Sequence, residues 1–415
     1  MFSVLMIIVL GLIPLLIWVY LVGFHGDFWR VAPQLGYPSP RQPNGAADQL
    51  PKIAIIVPTR NEANQIETVL QSLLAQEYRG DYSITLLDDN SSDGTGDIAR
   101  KLAAYDNRLR ILKGAPLPSG WSGKLWAQHQ AIEFVISEAS HSSADPTRQS
   151  NLPDYFWLSD ADILHAPHVL AALVEKAQQQ RSDLTSTMVR LSADEGWERL
   201  IIPAFVYFFQ MLFPFQRVAN DDDRVAGAAG GSILIKPSAL SRIGGLSAIR
   251  DALIDDCTLA ARVKQSGGRL WLGHGMDSRS VRPYAGLRSL WDMVARTAFS
   301  QLDYKLTRLM GTGLGMLLLY VAPFAAMAFG VIDDRFSSVE FQDGELLFGL
   351  GAATYFLMTI SFLPTIRSFG QPAALALTMP AIAMLFLLMT VDSARLHLVG
   401  KGVRWHARDY KYTDE

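Results

Sequence analysis

Charge-free apolar runs near both ends of the chain enclose a middle in which short apolar stretches alternate with polar loops. Val4 to Val22 carries no charged residue, and ~20 such residues suffice to cross a bilayer. With no basic segment before it and no small-residue cleavage site after it, this run reads as an uncleaved anchor rather than a signal peptide. Gly311–Ile332, Leu346–Ile366 and Ala373–Val391 read as three further spans. Buried helices of a soluble protein are the alternative, disfavoured because the charge-free runs recur in succession.

The middle has a different rhythm. A Pro- and Gly-rich linker, Ala32 to Pro51, leads to the β-branched run Ile53–Pro58, which predicts a buried strand. Ile66, Val69, Leu70, Leu73 and Leu74 then share one helical face. Ser83–Leu87 predicts a second strand, Gly96 to Tyr105 a helix, and Leu109–Leu112 a third strand. A helix from Leu125 to about Ser137 and a polar excursion over His141–Asn151 follow. Tyr155–Leu158 is another apolar run, ending in Ser159-Asp160-Ala161-Asp162. A helix over Pro167–Gln180 leads to strands at Leu184–Leu191 and Ser232–Lys236, the latter entered through Gly227–Gly231. This alternation predicts a doubly wound, mostly parallel sheet, whose ligand crevice lies beyond the carboxyl ends of its strands. Thr59, Asp89 and Asp162 fall at such ends. Leu200–Phe215 is strongly apolar but interrupted by Pro203 and Pro214. It reads as an in-plane helix bordering a lipid, or as a core helix. Met293–Leu306 predicts an amphipathic helix carrying Arg296 and Gln301.

Composition adds limits. A formal net charge of −3 gives no field that would attract nucleic acid. A single cysteine, Cys257, excludes an intramolecular disulfide. Arg30 and Arg41 place the side after the first span in the cytoplasm, and Asp333, Asp334, Glu340, Asp343 and Glu345 suit the opposite side. The basic tail (Arg395, Lys401, Arg404, Arg408, Lys411) also looks cytoplasmic, which conflicts with three full crossings unless one segment is re-entrant.

Three polar clusters can carry chemistry. In an extended chain Asp160 and Asp162 share a face, and two such charges repel unless a cation lies between them. A hard divalent ion on a diphosphate is one answer; a solvated turn is the other. Lys124 opens a helix, where a cation is unfavourable unless an anion is present. It is either a phosphate contact or a solvated loop lysine. Asp255 and Asp256 precede a helix, where capping accounts for one of them and a base beside an acceptor hydroxyl is a role for the other.

The motifs Val57-Pro58-Thr59-Arg60-Asn61-Glu62, Leu87–Thr95, Asp160-Ala161-Asp162 and Asp255-Asp256 resemble, in order and spacing, the family 2 glycosyltransferases of the GT-A fold. With Gly120–Ala127 and the C-terminal spans, the pattern is most similar to the hopene-associated glycosyltransferases of bacterial hopanoid pathways. The resemblance implies a GT-A nucleotide-diphospho-sugar transferase domain over 51–280, after an anchor at 1–24 and a linker at 25–50. Interfacial helices (281–310), about three spans (311–392) and a basic tail (393–415) would follow. It implies that Asp89 accepts a hydrogen bond from the uracil of a UDP-sugar, with Pro58, Thr59, Asn61 and Glu62 lining that pocket. Asp162 would ligate Mg²⁺ or Mn²⁺, Asp160 would lie near the ribose, and Lys124 would meet phosphate. Asp256 would be the catalytic base, with Asp255 where the family has Glu. Of the processive Gln-x-x-Arg-Trp motif only Arg296 remains, as a diphosphate contact, which argues against polymer synthesis. The implied enzyme inverts the anomeric carbon and transfers to a lipid hydroxyl, a hopanoid among the acceptors. It would sit in the bacterial inner membrane as a multi-pass protein with a cytoplasmic catalytic domain. A GDP-sugar:polyprenyl-phosphate transferase and a non-catalytic membrane scaffold are the rival readings.

Overall fold

A computed structural model describes residues 2–39, 50–141, 152–336, 343–400, 403–405 and 408–410. Most of the polar excursion (142–151), part of the linker (40–49), and Arg41, Glu340, Lys401 and Lys411 lie outside the described residues. The chain divides into two compact units. One comprises Met1–Val31, Ala193–Pro214 and Tyr284–Glu415, the other Ala32–Ser192 and Phe215–Pro283.

In chain order the main elements begin with α1 (Val4–Phe24), β1 (Ile53–Thr59), α2 (Ile66–Leu74), β2 (Tyr82–Asp88), α3 (Thr95–Ala103) and β3 (Leu109–Lys113). Then come α4 (Gly123–His141), β4 (Tyr155–Ser159), β5 (Ile163–His165), α5 (Val169–Gln180), β6 (Leu184–Arg190) and α6 (Glu198–Leu212). After β7 (Ser232–Ile235), α7 (Asp255–Gln265), β8 (Leu270–Ser280) and α8 (Gly286–Ala295), the chain continues through α9 (Leu306–Ile332), α10 (Gly344–Ser368) and α11 (Ala373–Leu398).

Strands β1–β8 of the second unit form one sheet, ordered β3-β2-β1-β4-β7-β6-β8-β5, and among the described residues the other unit adds a two-stranded antiparallel pair, Val403–Trp405 with Arg408–Tyr410. The β3-β2-β1-β4 run and the β6–β8 pair are parallel; β4–β7, β7–β6 and β8–β5 are antiparallel. Every residue of β1 is buried, as a strand covered on both faces requires. Pro58 is tolerated in this central strand for a specific reason. Thr59 faces β2, its carbonyl accepting from the Asp89 N–H at 2.8 Å, so Pro58 faces the β4 side. There the pairing has already stopped at Ile56↔Leu158, and no ladder bond is lost. Ile66, Val69, Leu70 and Leu73 of α2 are fully buried, as their spacing predicts. The Trp157 indole N–H donates to the buried Ser232 hydroxyl at 2.9 Å and ties β4 to β7.

Among the described residues, the other unit contains four helices long and apolar enough to cross a membrane: α1, α9, α10 and α11. The stretch Leu200–Phe215 forms most of α6, whose Ile201, Ile202, Ala204 and Tyr207 are fully buried. The Tyr207 and Ser361 hydroxyls are 2.6 Å apart. The Gln210 amide donates to the carbonyls of Phe28 and Arg30. These buried side chains make it a core helix of its unit, the second of the two expected readings. The helix expected over Met293–Leu306 is also corrected. It stops after Ala295 and passes through a turn into a single 3₁₀ turn at Ser300–Leu302, and the left-handed φ of 50° and 55° at Asp303 and Tyr304 keep that turn from running on into the next helix.

Candidate active site

Two loops beyond the carboxyl ends of β1 and β2 are braced against each other. The Asn61 side-chain oxygen accepts from the Ser92 N–H at 2.9 Å, and the Asn61 N–H donates to the Ser91 hydroxyl at 3.0 Å. The Glu62 N–H donates to the Thr95 hydroxyl at 2.8 Å, and the Ala63 N–H to Asp93 at 3.0 Å. Asn61 holds a left-handed φ of 53°, which Asn tolerates better than most residues. Asp89 is buried at the end of β2, where the Arg60 guanidinium donates to its carbonyl at 2.6 Å and meets its carboxylate at 3.5 Å. The Thr59 hydroxyl is buried with no partner among the described residues, an unmet group in the same pocket.

The two acids after β4 are not held as an extended chain would hold them. The strand ends at Ser159 and the chain turns, the Ile163 N–H reaching the Asp160 carbonyl at 3.4 Å. Asp160 and Asp162 therefore meet different cations. Asp160 lies 2.8 Å from the Lys124 ammonium, and Asp162 lies 3.0 Å from Nε of Arg282. Arg282 also pairs with Glu62. The anion expected at the start of α4 is thus supplied by the protein. Lys124 is the second residue of that helix and reaches Asp255 at 3.3 Å as well.

Asp255 and Asp256 open α7 rather than cap it. The N-cap is Ile254, without a side-chain cap bond, so capping explains neither acid. Instead the Asp256 carboxylate accepts from the Gly230 N–H at 2.8 Å and from the Cys257 N–H at 2.7 Å. A Cβ on Gly230 would stand 3.1 Å from both Asp256 Oδ2 and Lys124 Nζ. The glycine is needed for this close approach.

Burial, then the neighbouring Asp255, pushes Asp256 up to about 6 against the opposing pull of Lys124. Burial likewise raises Glu62 to about 7, with Arg282 opposing and Asp162 adding. Burial also raises Asp160, opposed by Lys124. For Lys124 burial works downward, but Asp160 and Asp255 outweigh it and hold the ammonium above its ordinary range.

Of the residues singled out in the sequence, Pro58, Thr59, Asn61, Glu62, Asp89, Lys124, Asp160, Asp162, Asp255 and Asp256 all lie in the one unit. Arg296 is the residue just after α8, in the other. Arg282 had no sequence signal, because only the strand register reveals its neighbours. Among the described residues no group of three or more His, Cys, Asp or Glu stands ready for a metal. The two hard carboxylates on the β4–β5 turn nevertheless suit a cation that takes one or two ligands from protein and the rest from diphosphate and water, as Mg²⁺ does.

Residues 54–244 match the family model described as glycosyl transferase family 2, a span that carries most of these acids. The chain contains a family 2 glycosyltransferase domain. It is 25% identical over 215 residues to the beta-monoglucosyldiacylglycerol synthase of Trichormus variabilis, covering 52% of this chain and 41% of that one. It is 29% identical over 142 residues to the 4,4'-diaponeurosporenoate glycosyltransferase of Staphylococcus haemolyticus, covering 32% and 31%. The chain thus spans less than half the length of these curated relatives. A mannosyltransferase from Pyrobaculum calidifontis, solved with GDP-Man and Mn²⁺, superposes with a TM-score of 0.50 at 18% identity over 94% of this chain and 97% of that one. The shared fold of the glycosyltransferase domain is GT-A.

Proposed function

We propose that this protein is a membrane-bound, inverting glycosyltransferase that moves a sugar from a UDP-sugar to a lipid hydroxyl, with divalent-metal dependence. The observation that carries the reading is the convergence of Asp160, Asp162 and Lys124, which lie inside the span matching family 2, with Asp256 just beyond it. Membrane-spanning helices and the lipid substrates in the relatives' names support a lipid acceptor. A hopanoid is the acceptor class the motif resemblance implies. On this reading 51–280 is the catalytic domain, facing the cytoplasm of a bacterial cell in which the protein is a multi-pass inner-membrane component.

In the mechanism, Asp89 and Thr59 would hold the base of the donor, while Asn61 keeps their two loops in register. Asp162, with Asp160 beside it, would hold the metal, which supplies charge stabilisation to the departing diphosphate. Asp256 takes the proton of the acceptor hydroxyl as its oxygen bonds to the anomeric carbon. The bond from that carbon to the phosphate oxygen breaks, and nucleoside diphosphate leaves with both electrons. The Gly230 and Cys257 N–H groups aim the Asp256 carboxylate, and Lys124 connects the donor side to the acceptor side through Asp160 and Asp255.

Calorimetry on the detergent-solubilised protein, with and without Mn²⁺, tests the reading. Metal-dependent binding of UDP with GDP inert is the expected result. Binding of GDP instead changes the donor class, and binding of neither overturns the enzyme reading in favour of a scaffold.

A further inference from the structure

We infer that Arg282 is the cation that receives the donor's diphosphate, and that in the donor-free protein it is parked on Asp162 and Glu62. This rests on the transferase reading above and deepens it.

The placement is built into the sheet. β5 and β8 are antiparallel with Ile163 opposite Ser280, and the pairing runs on through the Val281 N–H, which donates to the Asp162 carbonyl at 2.8 Å. Arg282 is the next residue, so its backbone is fixed beside the turn that bears Asp160 and Asp162. Its Nε lies 3.0 Å from Asp162, and its terminal nitrogen pairs with Glu62. The side chain is 37% exposed, whereas those of Asp162 and Glu62 are only 16% and 7% exposed. The guanidinium is therefore the solvent-reaching member of the trio.

Charge gives the reason it is needed. Among the described residues five carboxylates gather here (Glu62, Asp160, Asp162, Asp255, Asp256), with Lys124 and Arg282 as the cations paired to them. Such a cluster repels a diphosphate unless positive charge can turn toward it. Lys124 is engaged between Asp160 and Asp255, and its side chain is only 19% exposed. Arg282 can exchange instead, because a guanidinium presents the same planar fork to phosphate oxygens as to carboxylates. With donor bound, phosphate oxygens replace the Asp162 carboxylate at Nε of Arg282, and Asp162 would be left to hold the metal.

The test is binding of UDP, GDP and UMP to full-length protein in detergent with Mn²⁺, comparing wild type, R282Q, R282K and R296Q. The expected result is that R282Q weakens the nucleoside diphosphate about 10- to 100-fold, the size of lost charge-assisted hydrogen bonds. UMP weakens much less, and R282K recovers only part. Equal loss for UMP and the diphosphate would mean a structural role and overturn the inference. So would a larger loss in R296Q than in R282Q, or an R282Q protein that binds as wild type does; these outcomes leave the transferase reading standing. Wild-type protein that binds no nucleotide overturns both.

Discussion

A carboxylate that is to take a proton from an alcohol must be ionised yet poorly solvated, and Asp256 is built that way. Burial and Asp255 push its pKa up to about 6, while Lys124 and two backbone N–H groups favour the charged form. The sign follows directly: a base must be deprotonated, so kcat/KM should fall as pH drops below about 6 and level off above it. A pH–rate profile checks this. D256N should reduce transfer by about 10²- to 10⁴-fold, with metal-dependent nucleotide binding nearly unchanged; full activity in D256N would move the base elsewhere. K124M removes a cation that opposes the upward shift. The acid limb of the same profile should then move to higher pH. Asp256 and Lys124 stood out in the sequence because of their place at helix starts. That they share Gly230 between them did not, since a contact across α4, α7 and the approach to β7 leaves no trace in local spacing.

At the scale of elements, β1–β4, β6 and β7 were legible in the sequence, whereas β8 and the order of the strands in the sheet were not. β-branched and aromatic runs such as Ile53–Val57 and Tyr155–Leu158 bury both faces, and that leaves a continuous apolar signature. β5 was not legible, because three residues carry no periodicity. Its register against β8 is nonetheless what sets Arg282 beside Asp162. Gly230 sits at the entry to β7, where added bulk must displace Asp256 or Lys124. G230A should therefore lower kcat roughly 10- to 100-fold, the cost of misplacing a reacting group, while far-ultraviolet circular dichroism remains that of the wild type. An unchanged kcat would show that the close approach has no catalytic consequence.

At the scale of the whole molecule, two properties depend on many residues at once. Glu62 is raised from 4.5 to about 7 by burial, so the folded protein binds more protons than the unfolded chain across that window. Its contribution to stability should then diminish as pH rises from about 4.5 to about 7. Thermal unfolding against pH, compared with E62Q, checks this: the variant should show a flatter dependence. In the other unit, Y207F removes the hydroxyl pair with Ser361. Ser361 keeps its bond to the Met358 carbonyl at 2.9 Å, so the loss should stay near the lower end of about 0.5–1.5 kcal/mol, read as a small fall in Tm. The sequence by itself determined the apolar spans, the strand–helix alternation and the acids at strand ends, because hydrophobic burial and chain direction are written in local order. Only the tertiary structure decided which cation meets which acid. It replaced an extended Asp160–Asp162 pair by a turn, made α6 a core helix, and brought Arg282 to the carboxylates. Those outcomes depend on register and on close approach between segments far apart in the chain, and side-chain electrostatics acts through space, not along the sequence.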